Sequence, residues 1–270
     1  MKLIAGADPK QIALHLRQCV SNLGQVATSS ADNSTLANNY LSWASMTEKN
    51  LRFSFVDPDL TLLHTARYWH IRDLLIIDNQ ARVRGSELVR DEADVQENWL
   101  KRLADELEQA ADRLAGPIDA LTLVVDTSCF HHGPRLDEID WDVVMHSWKV
   151  RIVVPLRVVE ELDRQKFYDR SGDVRARARG ALQQILAWQA TADGAGRASM
   201  AGDVTIEVLV PIGARIDGVT GDSEILAAAD ELATFTGRSV TVATHDVAMQ
   251  LRATVAGHRV VLMPGGPGES

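Results

Sequence analysis

The second half of the chain alternates between short apolar runs and longer amphipathic stretches. The apolar runs are rich in Val and Ile and have the length of buried strands, whereas the stretches between them show helical spacing. This alternation predicts a doubly wound α/β sandwich around a mostly parallel sheet of about five strands. The segment 193–203 has the composition of an exposed loop. The predicted strands are 121–126, 150–155, 204–210, 239–244 and 258–263, and the predicted helices are 156–167, 173–191, 223–235 and 247–256.

The first part of the chain has helical spacing instead. Helices are predicted after Asp8-Pro9, which is a start signal, and in segments 34–51 and 57–75. Segment 86–114 predicts a long, highly charged helix that Gly116-Pro117 ends. We therefore expect three parts: an all-α domain of unknown role at 1–117, an α/β domain at 118–265 and a disordered tail at 266–270.

Composition and charge narrow the class of protein. With 46% hydrophobic and 24% charged residues, the chain has an ordinary globular composition. No apolar run approaches the roughly 18 residues that indicate a membrane span, and Asp8-Pro9 interrupts any signal-peptide core. The chain has only two cysteines, Cys19 and Cys129, which is too few to suggest a disulfide framework or a zinc site. We expect a cytoplasmic protein without a membrane partner, and the net charge of −9 does not favour a general nucleic-acid binder.

Four acidic residues stand where predicted strands give way to helices: Asp126, Glu161, Asp222 and Asp246. The carboxyl ends of parallel strands share one edge of a sheet, where ligands usually bind, so these side chains are expected to converge. Clustered carboxylates repel one another and favour a bound cation, and hard divalent ions prefer oxygen ligands. Each residue also has a simpler interpretation. The three Asp residues suit helix N-caps, and Glu161 suits a surface pair with Arg157 or Lys166.

Four motifs surround these acidic residues, in the order VVDTS, PLRVVEELDRQK, GDSEIL and VATHD. Their order and spacing resemble the PIN-domain nucleases, particularly the branch whose second motif has Pro followed by Glu-Leu-Asp. The resemblance covers about residues 120–263. It implies a three-layer α/β/α sandwich that binds Mg²⁺ or Mn²⁺ and hydrolyses RNA with a metal-activated water. By the same resemblance Asp126, Glu161, Asp222 and Asp246 are the catalytic metal ligands, Ser128 and Thr244 support them, and Glu224 is an auxiliary ligand.

A basic run follows the second motif directly and would suit a substrate with a phosphate backbone. A solvated helix face explains such a run equally well. The run contains Arg164, Lys166, Arg170, Arg175, Arg177 and Arg179.

Several alternatives remain open at this point. The chain is predicted to be an RNA-cleaving enzyme, with a catalytically weak PIN-fold module that binds RNA or protein as the alternative. A DNA flap nuclease would need a helical arch, and residues 164–191 are barely long enough for one. The helical domain could form a homodimer or bind a neutralising protein. The sequence does not indicate whether the protein acts as a toxin, in RNA processing or in defence.

Overall fold

The computed structural model describes residues 2–4, 6–28, 32–74, 85–117, 119–210, 221–263 and 265. Two units are distinguished along the chain, Met1–Asp112 and Arg113–Ser270. The predicted tail at 266–270 and the end of the predicted helix at 57–75 lie outside the described residues. Among the described helices, none combines the length and the apolar content that crossing a bilayer requires.

Helices dominate the first unit because their apolar positions recur at helical spacing and face one another. Trp43 on the second helix donates its indole N–H to the carbonyl of Cys19 on the first, at 2.8 Å. Arg17 pairs with Asp105 at 2.8 Å and with Glu108 at 2.7 Å on the long charged helix. The helices are α1 (Pro9–Thr28), α2 (Asn33–Ser54), α3 (Ala66–Leu74) and α4 (Gly85–Leu114), the last continuing two residues into the second unit.

Two details of the first unit differ from the all-helical expectation. Residues Lys2–Leu3 (β1) and Phe55–Val56 (β2) form a short antiparallel pair. The predicted helix at 57–75 is divided into a 3₁₀ turn, Leu60–Leu62, and α3. The division follows from two separate caps, because the Asp59 carboxylate accepts the N–H of Thr61 and the Thr65 hydroxyl accepts that of Tyr68, both at 3.1 Å.

The second unit is a three-layer α/β/α sandwich, as predicted. Its sheet has six strands among the described residues, in the order β5-β6-β4-β3-β7-β8, and all of its pairings except β5–β6 are parallel. The central strands read as continuous apolar runs because both faces of the sheet are covered. The strands are β3 (Leu121–Val125), β4 (Lys149–Pro155), β5 (Arg197–Ser199), β6 (Asp203–Leu209), β7 (Val240–Thr244) and β8 (Arg259–Leu262).

Four of the five described helices of this unit lie close to the predicted positions, whereas the short helix Trp141–Met145 was not predicted. Short 3₁₀ turns, Thr127–Phe130 and Leu136–Glu138, follow β3. The helices are α5 (Trp141–Met145), α6 (Leu156–Tyr168), α7 (Gly172–Ala190), α8 (Gly221–Thr236) and α9 (Val247–Val255).

The segment 193–203 is not simply an exposed loop, and this prediction was wrong in part. The Asp193 carboxylate accepts the N–H groups of Ala195 at 2.8 Å and Arg197 at 2.9 Å, which closes a turn before β5. β5 then pairs antiparallel with β6, and Arg197 lies opposite Glu207 with their charged groups 2.8 Å apart. A cross-strand ion pair thus stabilises β5. This strand is too short and too polar for its sequence pattern to predict it.

A buried arginine joins the sheet to the end of α4. Arg151, in the middle of β4, is only 1% exposed. Its Nε donates to Glu207 Oε1 at 2.7 Å, and its NH1 donates to the carbonyl of Leu114 at 2.7 Å. Gly116 leaves room for this guanidinium, because an added Cβ would lie 2.5 Å from NH1.

Candidate active site

The candidate site lies at the carboxyl edge of the sheet, between β3 and β7. β4 and β6 lie on one side of β3, whereas β7 and β8 lie on the other, so the chain reverses its direction across the sheet between β3 and β7. Such a reversal leaves a crevice outside the carboxyl ends of the two strands. Asp126 follows β3 directly, and Asp246 stands two residues after β7. Two of the predicted acidic residues therefore flank this crevice.

Asp126 is a buried carboxylate that neutral groups hold in place. The residue is 6% exposed. The Ser128 hydroxyl donates to its Oδ1 at 2.5 Å, and the Thr244 hydroxyl donates to its Oδ2. The N–H of Cys129 also donates to Oδ1, at 3.3 Å, so Asp126 caps the 3₁₀ turn as the simpler interpretation predicted. Within the described parts of the chain, no Lys, Arg or His side chain pairs with this carboxylate.

Thr244 and Ser128 join the two strand ends. Thr244 Oγ1 accepts the N–H of Asp246 at 2.9 Å while it donates to Asp126. Ser128 Oγ likewise accepts the N–H of His245 at 2.8 Å while it donates to Asp126. The Asp246 carboxylate accepts two N–H groups at the start of α9, at 2.6 and 3.1 Å, and so caps that helix. One hydrogen-bond network therefore fixes both sides of the crevice.

Glu161 reaches the same edge on α6. β4 runs beside β3, and α6 begins directly after Pro155, the last residue of β4. The Thr127 hydroxyl donates to Glu161 Oε2 at 2.5 Å, which places Glu161 beside the segment that follows Asp126. Arg157, one helical turn earlier, donates from Nε to Oε1 at 2.9 Å. The pair with Arg157 considered from the sequence is present, but it lies at the candidate site.

The first turn of α8 packs against these side chains. A Cβ at Gly221 would collide with Glu161 Oε1 and lie 3.1 Å from Arg157 Nε, so only glycine fits there without a shift. Glu224, one turn into α8, has its Oε2 3.6 Å from Arg157 Nε. Arg157 therefore lies between carboxylates of α6 and α8.

Asp222 takes part in a different contact, an ion pair with Arg252 on α9. The structure thus brings Asp126, Glu161 and the segment of Asp246 into neighbouring positions, whereas the Asp222 carboxylate pairs with Arg252 and takes no part in the hydrogen bonds of Asp126. Among the residues that the structure describes, no three His, Cys, Asp or Glu side chains are grouped so as to hold a metal ion. The set of four metal ligands remains a prediction.

Cys129 contacts the Asp126 carboxylate. Its Sγ lies 3.4 Å from Asp126 Oδ1 and 3.1 Å from the carbonyl oxygen of Ala243, so its single S–H is shared between these two acceptors. Burial, followed by the negative charge of Asp126, raises the pKa of the Cys129 thiol. Because its pKa is raised, the thiol stays neutral at physiological pH and serves as a hydrogen-bond donor. It is not a reactive nucleophile, since the reactive form of cysteine is the thiolate.

Among the predicted basic residues, Arg177 reaches the segment that follows Asp126. Arg177 donates from NH1 to the carbonyl of His131, in the segment after Asp126. His131 Nε2 lies 2.6 Å from Oε1 of Gln165. These contacts join the end of α6 and the first half of α7 to that segment. Arg164 and Lys166 lie on α6, Arg170 lies in the following loop, and Arg175, Arg177 and Arg179 lie on α7.

Three residues of this network, Arg157, Thr127 and Cys129, were missing from the predicted site. Arg157 could have been found from its spacing to Glu161, because side chains four apart on a helix meet. Thr127 could not, since its partner lies 34 residues away in sequence and only the packing of α6 beside β3 brings the two together.

Comparison with known proteins gives one result that bears on this geometry. The sequence profile of the PIN domain matches residues 123–263, which cover just over half of the chain. A search of curated proteins returned no match. The matched segment begins within β3 and ends just after β8, so it includes each of the acidic residues described above.

Proposed function

The chain belongs to the PIN-domain family, and from that premise we propose that it is a metal-dependent endoribonuclease that hydrolyses RNA phosphodiester bonds. PIN domains are generally nucleases and typically use divalent metals. RNA as the substrate, water as the attacking group and a cytoplasmic location are part of the proposal. The expected products carry a 3′-hydroxyl and a 5′-phosphate.

One observation supports the proposal most strongly, namely the environment of Asp126. A buried carboxylate is costly unless a cation or several donors compensate its charge. The donors to Asp126 are two hydroxyls, one N–H and one thiol, all neutral, and no described cationic side chain pairs with it. Carboxylate oxygens at the edge of a crevice are the ligands that Mg²⁺ and Mn²⁺ accept, so the residues present suit such an ion.

We assign the protein groups as follows. Asp126, Glu161 and Asp246 would hold the divalent ion, with Asp222 as the fourth ligand and Glu224 as an auxiliary one. Asp222 would have to leave its ion pair with Arg252 to reach the ion. Bound there, the ion would supply an activated water and neutralise charge on the scissile phosphate. Ser128 and Thr244 keep the Asp126 carboxylate in one orientation through the bonds described above. Arg157 orients Glu161 in the same way, and the basic side chains of α6 and α7 bind the RNA backbone without reading its sequence.

The test is cleavage of a labelled RNA by the full chain with Mn²⁺ or Mg²⁺. We expect cleavage that EDTA abolishes and that Asp126→Asn abolishes while the protein remains folded. Asp140→Asn is the matched control, because Asp140 caps α5 in the same way, through the N–H of Val143 at 3.3 Å, but lies outside the network. Cleavage that survives both EDTA and Asp126→Asn would contradict the proposal.

The competing function is a catalytically weak module that binds RNA or a protein. The observation in its favour is that Arg157 already neutralises part of the charge of Glu161. RNA binding without cleavage, unchanged by EDTA and by Asp126→Asn, would support it. Homodimer formation or binding of a neutralising protein through the helical domain remains a separate prediction.

A further inference from the structure

An adjacent pair of aromatic side chains ends α6 in an exposed position. Phe167 is 63% exposed and Tyr168 is 82% exposed. Their ring centroids lie 6.2 Å apart with an interplanar angle of 60°. Single exposed apolar residues are common on protein surfaces, but two neighbouring rings form a larger apolar patch that water solvates poorly.

Positive charge is in excess around this aromatic pair, because Arg164, Lys166 and Arg170 outnumber the two nearby carboxylates, Asp163 and Asp169. Arg164 and Arg170 are exposed on either side of it in sequence. Lys166 pairs with Asp163 at 2.5 Å and also lies over the Phe167 ring at 4.8 Å. No described carboxylate pairs with Arg164 or Arg170, so their charge is available to an anionic partner.

Two arginines of α7 fix the end of α6. Arg175 donates from NH1 to the carbonyl of Asp169 at 2.6 Å and to that of Arg170 at 3.3 Å. Arg179 donates to the carbonyl of Lys166 at 3.3 Å. These guanidinium groups satisfy carbonyls at the end of a helix, where cations are favoured. The aromatic pair therefore stands on a braced helix end rather than on a loose loop.

The pair also has a defined position relative to the candidate active site. Tyr168 is seven residues after Glu161 on α6, so the two side chains share one helix face. Seven residues span about 10 Å along a helix axis. That length corresponds to about three stacked nucleotides of a single strand. A strand cut at the Glu161 end of α6 would therefore extend past the aromatic pair.

Resting on the proposed function, we propose that Phe167 and Tyr168 form a stacking platform for unpaired bases of the RNA substrate. Arg164 and Arg170 bind the flanking phosphates. A ring stacks on any base, so the platform selects single-stranded or locally unpaired RNA without selecting its sequence. The basic charge around the rings favours RNA over a second copy of this chain, whose matching surface would carry the same sign.

The test is RNA binding by the full chain, measured by fluorescence anisotropy in EDTA so that the proposed cleavage does not interfere. The probes are a labelled single-stranded oligouridine of about 12 nucleotides, an abasic strand with the same phosphates, and a duplex of equal length. Phe167→Ala and Tyr168→Ala should each weaken binding of the oligouridine about 5-fold or more, and the double variant about 30-fold. Binding of the abasic strand and of the duplex should not change.

Trp148→Ala is the matched control. Trp148 is 60% exposed and has the Lys149 ammonium 4.3 Å from its ring centroid, so it resembles the aromatic pair chemically. It directly precedes β4, at the amino end of that strand, whereas Pro155 and α6 lie at the carboxyl end. This variant should bind the oligouridine as the parent does.

The outcomes separate this inference from the proposed function. Ring variants that bind oligouridine as the parent does would overturn the inference, as would equal losses on all three probes or no binding by the parent. A change in oligomeric state with unchanged RNA binding would show that the rings face a second copy and would also overturn it. Selective loss of oligouridine binding in a protein that cleaves nothing with Mn²⁺ would leave the inference standing and the nuclease proposal refuted.

Discussion

Replacing Arg151 by Met should destabilise the second unit much more than the same change at Arg197, the other cationic partner of Glu207. The substitution keeps much of the side-chain volume but removes every hydrogen bond that the guanidinium makes. It leaves Glu207 with one cationic partner, Arg197, and leaves the Leu114 carbonyl without its donor. Burial lowers the pKa of Arg151 and Glu207 opposes this shift, but a guanidinium remains charged at any physiological pH.

The size of the effect follows from these contacts. Removing one partner of a buried ion pair costs about 3–5 kcal/mol. An orphaned buried carbonyl adds about 1–3 kcal/mol. The remaining pair between Arg197 and Glu207, at 2.8 Å, offsets part of the loss, so we expect a net cost of about 3–4 kcal/mol. Arg197→Met should cost only about 1 kcal/mol, since Glu207 then keeps its more deeply buried partner.

Urea unfolding followed by circular dichroism measures the difference. Arg151→Met should lower the midpoint of the second unit by about 1 M or more, with an unchanged slope. The double variant Arg151→Met/Glu207→Leu should be more stable than Arg151→Met alone, because apolar groups of similar volume often replace a buried ion pair without loss. The reasoning fails if Arg151→Met lies within about 1 kcal/mol of the parent, or if the second substitution destabilises it further.

Three further predictions concern the site, the RNA and the first unit. Thr244→Val removes the hydroxyl donor to Asp126 and should lower both the RNA-cleavage rate and the free energy of unfolding, the latter by about 1.5–3 kcal/mol in urea; unchanged values of both would refute it. Arg164→Gln should reduce the slope of log affinity for single-stranded RNA against log salt by about 0.7, whereas an unchanged slope would mean that Arg164 contacts no phosphate. Donors at the start of α2, Ser34 foremost, lower the pKa of Asp32, so its cap contributes fully above the unfolded pKa of about 3.9 and is lost as pH falls through the lower folded pKa. The difference in unfolding free energy between the parent and Asp32→Ala should therefore be constant between about pH 5 and 8 and shrink in strong acid, and a difference that grows on acidification would contradict this assignment.

Local pattern was sufficient to predict most of the sheet, because central parallel strands are apolar on both faces. β4 illustrates this, since its buried run Ile152–Val154 has no plausible place except between other strands. β5 could not be predicted, because Arg197–Ser199 has only three residues and one buried side chain. Its pairing depends on Glu207, which lies on a different strand.

The candidate site shows the same division between local and long-range information. Asp126 and Asp246 could be placed at one edge because strand ends share that edge in a parallel sheet. The contact of Glu161 with Thr127 and that of Asp222 with Arg252 could not, because they depend on how different elements pack together. The ion pair of Asp222 with Arg252 joins α8 to α9, and no periodicity within either helix indicates it.

α6 joins the two proposals physically. It begins at the carboxyl end of β4, so its early residues, Arg157 and Glu161, lie at the candidate active site. Its last residues, Phe167 and Tyr168, lie on an exposed basic surface that α7 braces. A strand of RNA would therefore be cut at one end of a rigid helix and stacked at the other, and the fixed length of α6 would set how many nucleotides separate the two contacts. Footprints on a single-stranded RNA should place a protected base about three nucleotides from the cut, and a protected base at a variable distance would rule out this coupling.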